Sequence, residues 1–222
     1  MRLMISKSLK EKLPLFNVSC YTFELLEQND EENLSSDISN LFNKITDRYQ
    51  KEFTLEDVVK IKRIKDTRDG YKALGKDPSH TRAACEALLR RIIKNGNIYR
   101  LGDVIDIGNY LSLYFLKSVC VVDKDKIIGD INIRIGTIDD EYYGINRGLI
   151  NVSNMPLYTD DISPFGNPTS DTMRTAITNQ TKNVCLMLIN FNFDDVKKDE
   201  EELENILTEY LKITNLTKIE SL

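Results

Sequence analysis

Polar side chains suited to hydrolysis or ligand binding are concentrated in two stretches of this 222-residue chain. In the first, Asp106 and Asn109 lie three residues apart in an otherwise apolar segment, a spacing that places both on one helix face. A buried carboxylate or amide needs a partner, because leaving it unpaired costs about 1–3 kcal/mol. The pair therefore indicates either a satisfied structural hydrogen bond or a helix that directs two polar groups towards a ligand.

The second stretch is segment 157–175, in which prolines, a glycine and an asparagine favour a rigid loop between strands. Thr169, Ser170, Asp171 and Arg174 crowd together there. Hydroxyls, a carboxylate and a guanidinium on a stiff loop are suited to orienting a polar ligand. The alternative is a well-made turn closed by a local pair between Asp171 and Arg174.

Several kinds of site are excluded by what the sequence lacks. The nucleotide-binding patterns GxGxxG and GxxxxGK[ST] are absent, as is the GxSxG pattern of many serine hydrolases. The single histidine, His80, lies beside Pro78 and reads as an exposed turn residue. The four cysteines show neither a CxxC pair nor zinc-ligand spacing, so we expect no metal and no other cofactor.

The cysteines and the hydropathy pattern also bear on location. Each cysteine lies among apolar neighbours, which is typical of reduced thiols and predicts a cytoplasmic protein. No secretory signal is apparent at the N-terminus, and no apolar run approaches the ~20 residues of a membrane span. We therefore expect no membrane partner.

Charge limits the extent of any contact with nucleic acid. The formal net charge is −5, whereas proteins that hold nucleic acid through many phosphates are usually basic. Basic residues do cluster within 60–68 and 90–100, and acidic residues within 194–204. These clusters read as solvated helix faces, with a local basic patch near a phosphate ligand as the alternative. We expect no DNA partner.

Hydrophobic periodicity predicts helices that precede a strand-rich middle and a closing helix. The predicted helices cover 36–51, 54–74, 81–96, 103–115 and 195–213. The predicted strands cover 13–24, 119–122, 131–135, 141–145 and 184–193. This order predicts an α/β (α+β) fold, with a mixed β-sandwich-like sheet core flanked by helices. We expect a single domain over 1–222, with an N-terminal strand and helices in 1–80, a core in 81–193 and a C-terminal helix in 194–222.

The two polar stretches together resemble the editing domain of the phenylalanyl-tRNA synthetase beta subunit. Segment 106–113, DIGNYLSL, resembles the family's helix, which leads into a strand ending near an aspartate, here Asp123. Strand 131–135, the following Glu141 and the loop 166–171, GNPTSD, occur in the family's order. The resemblance covers roughly 82–193. Segment 71–91 resembles free-standing proteins that carry this domain without a synthetase, and the fold is expected to be of that type, with an unusual topology.

The resemblance implies a role and a set of residues. The synthetase domain hydrolyses tyrosine wrongly attached to the tRNA for phenylalanine, so this chain would act in trans on the acceptor end of a tRNA as a deacylase, without being a complete tRNA ligase. Asp171 matches the family's glutamate and is the expected catalytic residue, orienting water or binding the substrate ammonium. The expected substrate-binding residues are Asn109, Asp106, Thr169, Ser170, Arg174 and Glu141.

One position departs from the family. The family's histidine falls on Cys120, and a thiol among Val119, Val121 and Val122 is a poor base because burial raises its pKa. Hydrolysis would then need another arrangement. The alternatives are a non-catalytic binding module for a free amino acid or a similar small polar metabolite, and a scaffold that has kept the fold and lost the pocket.

Overall fold

The computed structural model describes residues 1–27 and 34–221. The α-helices in this part of the chain are α1 (Lys7–Lys12), α2 (Ser36–Glu52), α3 (Lys62–Leu74), α4 (Ala84–Asn95), α5 (Asp103–Phe115) and α6 (Val196–Tyr210). The β-strands are β1 (Leu3–Ile5), β2 (Asn17–Leu25), β3 (Val119–Asp123), β4 (Ile131–Ile135), β5 (Tyr143–Gly144), β6 (Gly148–Leu149), β7 (Pro156–Thr159), β8 (Pro164–Asn167), β9 (Ser170–Asp171), β10 (Asn183–Asn190) and β11 (Ile213–Ile219).

Several ends of the longer helices lie close to where the sequence predicts them. The Ser35 hydroxyl accepts a hydrogen bond from the Ile38 amide and so caps the start of α2. Gly75 and Gly96, with φ of 92° and 70°, end α3 and α4 in the left-handed conformation that the last turn requires. The prediction for 103–115 coincides with α5.

Two predicted helix starts are wrong. The hydroxyl and amide of Thr54 both bond to the Asp57 carboxylate, but this contact closes a loop before a short 3-10 turn, and α3 begins only at Lys62. Thr81 does not cap α4, which begins at Ala84 without a side-chain cap. In each case a capping residue type occurs a few residues too early, because the same side chains also stabilise turns.

The strands form two main sheets and a small hairpin. One sheet has the order β11-β2-β10-β3, with every neighbouring pair antiparallel. The other has the order β1-β4-β7-β8-β9, in which only the β1–β4 pair is parallel. β3 and β9 are therefore edge strands of their respective sheets. β5 and β6 form the hairpin.

Alternating residues of β3 and β10 divide the core into two layers. Val121, Leu186 and Leu188 face the helices α2, α4, α5 and α6. Cys120 and Met187 face the opposite way, towards Ile131, Tyr158 and Phe165 of the second sheet. The molecule is thus a mixed α/β fold in three layers, with helices over one face of the four-stranded sheet and the five-stranded sheet on the other, as the sequence predicts in outline.

The strand-rich half departs most from the sequence-based expectation. The predicted strand 141–145 is reduced to the two residues of β5, and the loop predicted around 157–175 contains β7, β8 and β9. These strands have two to four residues, too few to show the alternation that identifies a strand. The helix predicted to close the chain ends at Tyr210, and β11 follows it along β2. Among the described helices, none has both the length and the apolar character needed to cross a bilayer.

Candidate functional site

Asp171 and Cys120 meet where the edges of the two sheets face each other. Asp171 ends β9 and Cys120 lies in β3, and each side chain is directed into the layer between the sheets. Burial raises the pKa of Asp171 to about 7, and hydrogen bonding from the Cys120 thiol offsets part of that increase. Burial and the neighbouring Asp171 in turn raise the pKa of the Cys120 thiol well above its usual range. The cysteine at the family's histidine position therefore lies beside the predicted catalytic carboxyl.

A glycine on the adjacent strand leaves room for this carboxyl. Gly166 pairs with Asp171 on one side and with Tyr158 on the other. A Cβ atom at Gly166 would lie 2.8 Å from Asp171 Oδ1 and 2.7 Å from the Tyr158 ring, closer than real Cβ contacts. Any larger residue there would displace the carboxyl or the ring. Gly166, in β8, thus has a steric role in the site.

Two tyrosine hydroxyls, those of Tyr142 and Tyr158, lie near enough to Asp171 for its charge to raise their pKa. The Tyr158 hydroxyl is fully buried and has no hydrogen-bond partner within the described residues. Burial, with Cys120, Tyr71 and Asp171 close enough to act on it, raises its pKa well above the ordinary value. The Tyr142 hydroxyl donates to the Ser170 carbonyl. The thiol bonded to Asp171 and the two tyrosine hydroxyls near it all have raised pKa values and are therefore protonated at neutral pH.

Helices α3 and α4 hold the loop that leads into β9. The hydroxyls of Tyr71 and Thr169 share a hydrogen bond of 3.1 Å. The Pro168 carbonyl accepts from Ser118 Oγ and from the Ala84 amide, each at 2.8 Å. Asn167 Oδ1 accepts from the amides of Thr169 and Ser170 at 2.8 and 3.2 Å. Hydrogen bonds thus tie the loop to both helices, and Thr169 already has a partner.

The first polar stretch does not join Asp171 directly. The fully buried Asp106 carboxylate accepts from Arg100 Nε at 2.5 Å and from the Leu101 amide at 2.9 Å, which ties the start of α5 to the preceding loop. Asn109 is half-buried on the same helix. Because Gly108 packs against Val121, α5 covers the face of β3 opposite to Cys120. Strand β3 therefore stands between the helix and the carboxyl.

Two further predicted residues point elsewhere. Arg174 places both terminal nitrogens on the buried Asp160 carboxylate, at 3.0 and 2.9 Å, instead of pairing with Asp171. Glu141 is exposed in the turn between β4 and β5. Ser170 is half-buried, and its hydroxyl donates to the Asp171 carbonyl at 3.3 Å. Their predicted contacts with a substrate remain predictions.

Sequence reasoning missed the tyrosines. Tyr142 and Tyr158 read as ordinary strand or loop residues, and Tyr71 lies in a helix distant in sequence from its partner Thr169. One signal was available: a buried tyrosine usually finds a hydrogen-bond partner for its hydroxyl, which indicates a polar neighbour. Within residues 1–27 and 34–221, no three His, Cys, Asp or Glu side chains come together as a metal site would require.

Comparison with known proteins agrees with this architecture. The model of the B3/4 domain family matches residues 66–212. A similar solved structure is the crystal structure of an N-terminal fragment of the phenylalanyl-tRNA synthetase beta subunit from Pyrococcus horikoshii, with a TM-score of 0.54 and 10% sequence identity. That likeness covers the whole of this chain and 51% of the fragment, so the chain spans about half of its length. No curated protein matches. The matched residues make up well over half of the chain, which therefore belongs to the B3/4 domain family.

Proposed function

We propose that this chain binds the aminoacyl end of a mischarged tRNA and hydrolyses its ester in trans. The observation that carries the proposal is the Asp171 carboxyl, which lies between sheet edges with a pKa raised to about 7. A group that titrates near the working pH is an effective general base, because it is partly ionised and still basic enough to accept a proton.

The reaction requires few groups. Water held by the Asp171 carboxylate attacks the ester carbonyl carbon, and the carboxylate accepts the water proton. The bond to the ribose oxygen then breaks, and that oxygen takes up the proton to regenerate the tRNA hydroxyl and release the amino acid. The buried Tyr158 hydroxyl has no partner within the described residues and is available to donate to the developing oxyanion.

Cys120 has a supporting role in this scheme. Burial raises the pKa of its thiol, which keeps it protonated and therefore a donor instead of a nucleophile. A donor beside Asp171 favours the carboxylate form. The proposal thus assigns the base function to Asp171 alone, with Thr169 and Ser170 fixing the strand that carries it. The other predicted binding residues do not contact the substrate in this scheme and affect it only through the local structure that they stabilise. They are Asn109, Asp106, Arg174 and Glu141.

A second candidate function is a non-catalytic binding module for a free amino acid or a similar small polar metabolite. Two features favour it: Cys120 stands where the sequence resemblance implies a histidine, and the net charge of −5 opposes an extended tRNA contact. A thermal-shift screen with free amino acids tests it. Stabilisation by an amino acid, together with no release of amino acid from any charged tRNA, would establish the binding module.

The proposed hydrolysis is tested with a panel of tRNAs that carry correct and incorrect amino acids. We expect the protein to release at least one incorrect amino acid faster than buffer does, and Asp171→Asn to lower that rate about 100-fold or more, the usual contribution of a general base. Equal rates for the protein and buffer across the whole panel would rule out the hydrolase.

A further inference from the structure

Three large apolar side chains lie exposed beside the candidate site. Tyr143 and Leu149 of the β5–β6 hairpin are 60% and 68% exposed, and Met173, which follows β9, is 68% exposed. Single exposed apolar residues are common on protein surfaces, but contiguous ones often mark an interaction site. Whether these three are contiguous depends on how the hairpin is joined to β9.

The strand pairing makes them neighbours. Tyr143 and Leu149 are direct partners in the hairpin, so their side chains lie on the same face. The hairpin is joined to the chain after β9 by an antiparallel bridge between Gly144 and Thr172, and the Ile145 amide donates to the Asp171 carbonyl at 2.9 Å. This register places Met173 opposite Tyr143. Leu149, Tyr143 and Met173 therefore form one row across three adjacent segments.

The row lies on the same sheet face as the candidate catalytic carboxyl. Thr172, which separates Asp171 from Met173, has extended backbone with φ of −103° and ψ of 156°, so the Met173 side chain starts on the side of Asp171 before the chain turns into a short 3-10 helix. Asp171 in turn is aligned with Gly166 and Tyr158 across β8 and β7. On this face the Cys120 thiol of β3 contacts Asp171, whereas Met173, two residues further along the chain, is exposed.

We propose that this row is the platform on which the last unpaired base of the tRNA stacks while its ribose presents the ester to Asp171. The proposal rests on the function proposed above and adds the place where the RNA end binds. An aromatic ring flanked by a thioether and an aliphatic side chain offers a flat apolar surface that accepts any base. Arg147, exposed in the turn between β5 and β6, provides a cation for the adjoining phosphate.

The size and position of the row favour a nucleotide over a protein partner. A stable protein interface buries about 800 Å² on each partner, far more than three side chains provide. One nucleotide, in contrast, carries its base and its esterified hydroxyl on the same ribose, which matches a platform that begins two residues along the chain from the carboxyl. The row is continuous with the site, as such a ligand requires.

Binding to short RNA hairpins tests the proposal. Fluorescence anisotropy would compare a hairpin that ends in an unpaired CCA tail with the same hairpin lacking the final adenosine. We expect removal of the adenosine and Tyr143→Ala each to weaken binding about tenfold, with little further loss when they are combined, because stacking of one base contributes on that scale. Tyr143→Phe keeps the ring and should bind normally. Tyr99→Ala is the matched control, since Tyr99 is 74% exposed and lies outside the row.

The RNA-binding results test the platform independently of whether the protein hydrolyses the ester. Normal binding by Tyr143→Ala, indifference to the terminal adenosine, or no binding of either RNA would overturn the platform, whatever the deacylation assay shows. A change of oligomeric state caused by Tyr143→Ala, with RNA binding intact, would instead make the row an interface between copies of the chain. If the wild-type protein releases no amino acid but binds the tail through Tyr143, the platform stands and the proposed hydrolysis is wrong.

Discussion

At the residue scale, the central feature is a carboxyl group placed among neutral donors. Burial raises the pKa of Asp171, and within the described residues the only side chain that lowers it again is Cys120. Arg174, the nearest cation in sequence, forms an ion pair with Asp160 instead. The protonation state of Asp171 therefore changes near neutral pH, and both stability and activity should follow it.

The pH dependence of stability has a definite sign. The folded state binds the Asp171 proton up to a pKa of about 7, whereas the unfolded chain releases it near 4. This group's contribution is therefore fully present below pH 4 and is lost as the pH rises through 7, by about 4 kcal/mol at most. Asp171→Asn should remove this component, so the variant gains stability relative to wild type as the pH rises from 4 to 8.

Denaturant unfolding measured across that pH range checks this prediction. The matched control is Asp47→Asn, an exposed position on α2. A constant difference between Asp171→Asn and wild type from pH 4 to 8 would mean that Asp171 ionises as an ordinary carboxylate.

A second residue-scale prediction concerns the thiol. Because the Cys120 thiol lowers the pKa of Asp171, Cys120→Ala should move the titration of Asp171 to higher pH. The titration can be followed by NMR of aspartate carboxyl carbons. Cys185→Ala leaves a cavity of the same size beside Cys20 instead of Asp171 and should not move it. An unchanged Asp171 titration in Cys120→Ala would show that the thiol does not interact with the carboxyl.

At the element scale, α5 packs closely against β3 because Gly108 has no side chain. A Cβ atom at Gly108 would lie 2.4 Å from Val121 Cγ2. Gly108→Ala should therefore destabilise the fold by about 1–3 kcal/mol, although alanine is the better helix former by about 1 kcal/mol. Adding Val121→Ala should recover part of the loss, as measured by denaturant unfolding. A stabilising Gly108→Ala would show that the helix can shift without cost.

Helix α6 is anchored through a buried ion network. Lys117 Nζ donates to Asp199 at 2.6 Å and to Asn190 at 2.7 Å, and Arg63 bonds the other Asp199 oxygen at 2.9 Å. Lys117→Met should cost about 2–4 kcal/mol of unfolding free energy, because Asp199 stays buried with one cation fewer. The exposed pair of Lys212 and Glu27 is the control, and Lys212→Met should change little. Equal effects of the two substitutions would contradict the assigned role of the network.

The elements also show how far sequence reasoning reaches. Helices α2 and α4 have strong apolar periodicity, and the glycines at 75 and 96 mark the ends of α3 and α4, so the existence of these helices and several of their bounds could be predicted. The two-residue strands β5, β6 and β9 carry no periodic signal, and their pairing is set by partners distant in the chain. Asp171 could be selected from its chemistry and the family resemblance. Its position beside Cys120 and Tyr158 depends on sheet order, which the sequence does not display.

At the scale of the whole molecule, charge limits how the protein can hold RNA. With a net charge of −5, recognition must rely on a small contact around the acceptor end instead of many phosphates. The logarithm of RNA affinity should therefore fall with the logarithm of salt concentration with a slope shallower than about −3. Anisotropy titrations with the CCA hairpin from 50 to 200 mM salt measure it, and a much steeper slope would indicate an extended basic footprint.

The central claim is that Asp171 serves as the base for ester hydrolysis at the tRNA end. The direct measurement is the single-turnover rate of amino acid release from a mischarged tRNA between pH 5.5 and 8.5, for wild type, Asp171→Asn and Asp47→Asn. The wild-type and Asp47→Asn rates should rise about tenfold per pH unit and level off above pH 7, while Asp171→Asn stays slow throughout. A wild-type profile that Asp171→Asn reproduces in rate and shape would contradict the claim.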